Sequence, residues 1–104
     1  MNTDKSQELN KKLRELAGSN NVYFQPPETL KLNYPCIIFK RSTSNGNYSD
    51  NRMYRFKRSY EVVAIDPRPD SKWIDLFLEN FRYIRYVRSY TSDNLNHDIF
   101  IIYY

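Results

Sequence analysis

Glycine is almost absent from this sequence: there are two in 104 residues, Gly18 and Gly46. A phosphate-cradling loop needs several glycines ahead of a helix, so that chemistry is excluded. A single cysteine, Cys36, rules out an internal disulfide, and a single histidine, His97, leaves few soft ligands for a metal. Long apolar runs are missing too. The longest covers residues 99–104, six residues, against the roughly 20 that a membrane-spanning helix needs. The residues after Met1 are polar and carry no apolar core of the kind a signal peptide has. These absences predict one soluble domain over residues 1–104, made in a reducing cytoplasm, with no membrane contact.

Aromatic residues are plentiful: they make up 16% of the chain, and ten of them are tyrosine. That is more than the core of so short a chain requires, and tyrosine suits surfaces that are partly apolar and partly wet. The excess fits partner contacts, and it equally fits tyrosine-rich strands. Net charge is +4, from 16 basic and 12 acidic residues. A mixed, mildly basic chain permits contact with nucleic acid without demanding it.

Periodicity predicts the elements. Over residues 1–18, Leu9, Leu13, Leu16 and Ala17 form one apolar stripe at helical spacing. Asp4 with Gln7 can close the start of that helix, and Gly18 can end it in the left-handed conformation. Pro26, Pro27 and Pro35 mark an extended crossover, with at most a short edge strand at residues 22–24. The run CIIFKRS reads as a strand, followed by a long polar loop at residues 43–53 around the Asn45–Gly46 pair. Tyr54, Phe56, Tyr60, Val62 and Ala64 then alternate with Arg55, Lys57, Ser59 and Glu61, a half-buried strand.

A second helix is predicted over residues 70–81, capped by Asp70 or Ser71. Trp73, Phe77 and Phe81 form its buried face, with Ile74 and Leu78 beside them. Two more strands follow, one placing Ile84, Tyr86 and Tyr90 opposite Tyr83, Arg85 and Val87, the other covering residues 97–104. The loop SDNLN joins them as an antiparallel hairpin. The expected fold is α+β, an antiparallel or mixed sheet covered by two helices in the order α-β-β-α-β-β.

No constellation of catalytic residues emerges. His97 has Asp93 and Asp98 close in sequence, but nothing fixes a nucleophile beside it. Cys36 lies in an apolar run, where a free thiol behaves as a small hydrophobe. Asp66, Asp70 and Asp75 are explained as a strand end before proline, a helix cap and an exposed first-turn carboxylate. The expectation is therefore no enzyme activity, no cofactor and no metal. The stretches YRFKRSY and FRYIRYVRSY interleave cations with aromatics. That pattern fits stacking on single-stranded nucleic acid, and it fits equally a strand with aromatics inside and cations outside.

The order and spacing of certain blocks go further: Tyr34-Pro35, Asp50-Asn51 ahead of Tyr54, Ile65-Asp66, Pro69-Asp70-Ser71, and Asp93-Asn94-Leu95-Asn96-His97. Across residues 22–104 the chain resembles a family of small tailed-bacteriophage proteins, the tail terminator or tail completion proteins of the head–tail joining region. Two segments depart from that pattern, the bulky KWIDLFLENF and the basic residues of 82–88. The resemblance implies a structural virion protein that forms a homo-oligomeric ring, typically a hexamer, at the head-proximal end of the tail tube. Such a ring ends tube polymerisation and joins the tail to the head connector. Its implied partners are further copies of itself, the tail tube protein, connector or adaptor proteins, and phage DNA passing through the lumen without sequence-specific binding. Its implied place is the tail or neck of the virion, assembled in the bacterial cytoplasm. The loop and hairpin supply the expected interface residues: Asn45, Tyr48, Asp50, Asn51 and Tyr54, then Asp93, Asn94, Asn96 and His97, with Tyr103 and Tyr104 beside the final strand. The alternatives are a basic aromatic nucleic-acid-binding module, or another neck component such as a head-completion protein.

Overall fold

The computed structural model describes residues 5–42 and 58–104. The helix α1 (Lys5–Ala17) opens the fold and turns its narrow stripe inward, with Leu9 and Leu13 wholly buried. It stops where expected: Gly18 has φ +68° and its amide donates to the Arg14 carbonyl at 2.9 Å. Asp4, the other half of the expected N-terminal cap, lies outside the described residues.

Five strands follow: β1 (Val22–Phe24), β2 (Cys36–Arg41), β3 (Ser59–Asp66), β4 (Ile84–Ser92) and β5 (Leu95–Tyr103). The helix α2 (Trp73–Asn80) falls between β3 and β4. The sheet order is β1-β2-β3-β5-β4, with β1 parallel to β2 and every other pair antiparallel. The expected order α-β-β-α-β-β thus omits one strand. Residues 22–24 do join the sheet, because the proline-bearing crossover brings Val22 beside Ile37 in parallel register. The described residues form a small α+β fold with a five-stranded mixed sheet and two helices.

Register divides the sheet into two faces. Side chains on cross-strand partners share a face, and the faces alternate along each strand. The inner face carries Ile37 and Phe39, Tyr60, Val62 and Ala64, and Phe100 and Ile102, all at most 1% exposed. Both helices pack on it. Trp73, Phe77 and Phe81 line one side of α2 and its end, and Phe77 meets Phe100 with ring centroids 4.6 Å apart. Burying an aromatic ring of this kind stabilises by about 2–3 kcal/mol, which makes this row the main hydrophobic contact. Leu78, expected beside that row, is exposed.

Two boundaries and one register differ from expectation, each for a local reason. The helix α2 spans residues 73–80 instead of 70–81, because Pro69 and Asp70 form a turn and Lys72 takes the N-cap position without a side-chain bond. The final strand begins at Leu95 instead of 97. The supposed five-residue loop is a two-residue turn: Asp93 and Asn94 take φ +54° and +62°, and Ser92 pairs with Leu95. Paired left-handed residues match the right-handed twist of a hairpin. Lastly, the register of β4 shifts between Tyr86 and Arg88, a β-bulge at Val87. The extra residue reverses the alternation. Tyr86 stays inside against Phe100, while Tyr90 moves to the outer face opposite His97 and does not share the face of Ile84 and Tyr86.

Candidate functional site

At one end of the inner face the apolar surface gives way to polar residues. Beyond Ala64 and Phe100, the inward positions are Asp66 on β3, Asn96 and Asp98 on β5, and Ser89 and Thr91 on β4. The start of α2 and the turn before it lie over them.

Asp66 is fully buried and fully engaged. Its Oδ1 accepts the Arg68 backbone amide at 2.9 Å and Arg68 Nε at 3.0 Å. Its Oδ2 accepts Arg68 Nη2 at 2.7 Å and the Trp73 indole Nε1 at 3.0 Å. A two-pronged guanidinium contact to both carboxylate oxygens is the strong form of this interaction. The Arg68 side chain holds the carboxyl below its usual range; burial opposes this, and the Arg68 amide and Trp73 indole reinforce it. The knot has a structural consequence as well. It ties the end of β3 to the first residue of α2, so Trp73 enters the core at a fixed point. Asn96 completes it, donating from Nδ2 to the Asp66 carbonyl at 3.1 Å and accepting from Thr91 Oγ1 at 3.2 Å.

Asp98 lies diagonally across from Asp66, at a separation of about 7–8 Å between α-carbons for such neighbours. It is 8% exposed. No hydrogen bond reaches its carboxylate among the described residues. Burial raises its pKa, the negative charge of Asp66 raises it further, and His97 lowers it. Asp98 borders a cavity of about 220 Å³ whose walls include Ser71, Ile74, Ser89 and Thr91.

The sequence singled out several residues of this region, and the fold brings four of them together. Asp93 and Asn94 form the exposed hairpin tip, Asn96 joins the Asp66 knot, and His97 lies half-buried on the outer face. The His97 ring stacks on Tyr90, centroids 4.5 Å apart and 7° from parallel, and its Nδ1 lies 3.1 Å from the Leu95 carbonyl oxygen. Arg88 approaches the Tyr90 ring at 5.2 Å. Tyr103 and Tyr104 are elsewhere. They lie at the opposite end of β5, about 27 Å along the strand at 3.4 Å per residue. There Tyr104 exchanges backbone hydrogen bonds with Arg58 and Tyr103 donates to the Tyr83 carbonyl. Burial raises the Tyr104 pKa, helped by Glu8 and Glu15 of α1. Asn45, Tyr48, Asp50, Asn51 and Tyr54 lie outside the described residues.

The final strand is not an edge of the sheet. Strand β5 is flanked by β3 and β4 along its length, so it has no free edge to offer a neighbouring molecule. Its apolar residues are buried against their own chain. The exposed edge is β4, where residues 87–92 are all exposed. Cys36 is buried, as its apolar setting implied, and burial raises its thiol pKa to about 11.

Sequence reasoning missed Arg68, Trp73 and Asp98 as a polar group. The signal for Asp98 was present: it sits two residues before Phe100 and four before Ile102, so it shares their inward face. A carboxylate at an inward position of a core strand is costly unless it is partnered. The chain matches no family model, no characterised protein and no solved structure with which it was compared.

Proposed function

We propose that this chain is a structural subunit of a tailed-bacteriophage neck, forming a ring at the head-proximal end of the tail tube, ending tube polymerisation and joining the tail to the head connector. The order and spacing of the sequence blocks carry the family part of this reading. The assembly part rests on one observation, the nine-residue edge strand β4. Its outer edge has no partner among the described residues, and the other edge of the sheet, β1, is only three residues long. A long, exposed edge with unpaired backbone groups is a template for association. Unequal edges suit a head-to-tail contact, in which β4 of one copy meets a different surface of the next and the rotation closes a ring. The hairpin residues Asp93 and Asn94 border this edge, and they remain candidate contacts together with Asn96, His97, Tyr103 and Tyr104.

A second reading has a specific observation in its favour. Arg85, Arg88 and Tyr90 share the outer face of β4, a basic aromatic strip that suits single-stranded nucleic acid. Against it, the Tyr90 ring is already stacked on His97 and approached by Arg88, so it is a poor free platform for a base.

The test is mass in solution, alone and with purified tail tubes, followed by electron microscopy. The ring reading expects a closed oligomer, free or seated at one tube end, which is lost in the Arg85→Glu/Arg88→Glu double variant while circular dichroism stays native. A monomer that ignores tubes and binds DNA with steep salt dependence overturns it in favour of the second reading.

A further inference from the structure

The unpartnered carboxylate of Asp98 asks for a cation. Four features define the space in front of it. The cavity is about 220 Å³, below the roughly 300–1,000 Å³ of sites that take drug-sized ligands and suited to a single side-chain-sized group. Asp98, on its wall, is more than nine-tenths buried and accepts no hydrogen bond among the described residues. Ser71 and Ser89 line the same space, and their hydroxyls have no hydrogen-bond partner among the described residues either. The neighbouring carboxylate, Asp66, is neutralised within the chain by Arg68. The site therefore has one uncompensated negative charge and neutral oxygen acceptors around it.

We propose that this cavity, between the amino end of α2 and the β4–β5 hairpin, binds a guanidinium group, with the Asp98 carboxylate as counter-ion and Ser71 and Ser89 as flanking acceptors. Among the described residues there is no group of three His, Cys, Asp or Glu side chains to hold a metal ion; one carboxylate with hydroxyls suits a monovalent organic cation better. A guanidinium is more weakly hydrated than an ammonium, so it is moved into a confined space at lower cost, and its planar fork fits both oxygens of a carboxylate. The protein already uses that geometry next door, where Arg68 grips both oxygens of Asp66. The guanidinium comes either from an arginine side chain of another protein or from a free alkylguanidine; the recognising chemistry is the same. This inference stands apart from the ring reading, and either can fail without the other.

The experiment is an amide chemical-shift titration of the full chain at pH 7 with N-acetylarginine amide, its neutral isostere N-acetylcitrulline amide, ethylguanidinium and potassium chloride. Saturable shifts are expected at Ser71, Ile74, Ser89, Thr91, Asn96 and Asp98. Binding should weaken about tenfold or more for the citrulline compound and for the Asp98→Asn variant, as loss of a charge-assisted hydrogen bond implies. The variant's spectrum elsewhere should remain native. Tighter binding of the arginine compound than of ethylguanidinium supports a protein side chain as the source, and the reverse order supports a free guanidine. Equal shifts with citrulline, equal affinity in Asp98→Asn, equal shifts with potassium chloride, or shifts confined to other carboxylates overturn the proposal.

Discussion

Asp66 and Asp98 sit on neighbouring strands at the same polar end of one sheet face, yet their surroundings push their acidities in opposite directions. Asp66 has no exposed surface and receives four hydrogen bonds, three from Arg68 and one from Trp73. Asp98 is almost as buried and receives none among the described residues. The first is favoured as an anion, the second disfavoured. Burial alone does not decide whether a charge stabilises a fold; the donors that arrive with it do. One carboxylate organises its own chain, tying β3 to α2, while the other faces a cavity.

The comparison breaks most forcefully if Asp66 is removed. Asp66→Ala leaves the buried Trp73 indole N–H and the Arg68 amide without their acceptor, while the exposed guanidinium returns to water, and a loss of about 3 kcal/mol is expected in urea denaturation. Trp73→Phe keeps the ring in the core but withdraws one donor from the carboxylate, so about 2 kcal/mol should be lost by the same measurement. Asp98→Asn acts in the opposite sense. Removing an unpartnered buried charge should raise stability at pH 7 by about 1 kcal/mol.

Acid titration sharpens the contrast through its sign. The Asp66 pKa is lowered in the folded state, so its stabilisation is present above the ordinary carboxylate value and is lost as pH falls through the lowered one. The Asp98 pKa is raised, so its contribution is present below the ordinary value and lost as pH rises through the raised one. The advantage of Asp98→Asn should therefore shrink steadily as the solution is acidified through that window. Denaturant midpoints measured from pH 7 to pH 3 check this, and an advantage independent of pH would contradict the assignment. The smallest effect belongs to Arg68→Lys. An ammonium cannot span both oxygens of Asp66, so the Asp66 carboxyl resonance should titrate at higher pH than in the parent, with the fold intact.

Much of this architecture was legible in residue order. The stripe of Leu9 and Leu13 gave the inward face of α1, Gly18 gave its end, and the spacing of Trp73, Phe77 and Phe81 gave the buried side of α2. Alternation in β3 correctly put Tyr60, Val62 and Ala64 together. Less was legible where one residue changes the count. The bulge at Val87 carries no distinctive side chain, yet it sends Tyr90 to the other face. The Asp93–Asn94 turn was hidden because Asn and Asp mark loops as readily as tight left-handed turns. At the candidate site, Asp66 was read as a strand end before a proline. Its partner Arg68, two residues away, was not singled out, because the bond depends on the chain's turn and not on helical or strand spacing.

The sequence by itself determined the inward residues of α1 and β3 and the aromatic row of α2, since the helical and strand periods act over a few neighbours and need no knowledge of the rest of the chain. It also determined where α1 stops, because glycine enters the left-handed conformation more easily than other residues. Only the tertiary structure decided the strand order, the enclosure of β5 between β3 and β4, and the exposure of β4 at the edge. Those depend on pairings between residues as far apart as Ser59 and Tyr103, which local preferences do not rank. It alone decided, too, that of two inward carboxylates one meets an arginine and an indole while the other meets open space.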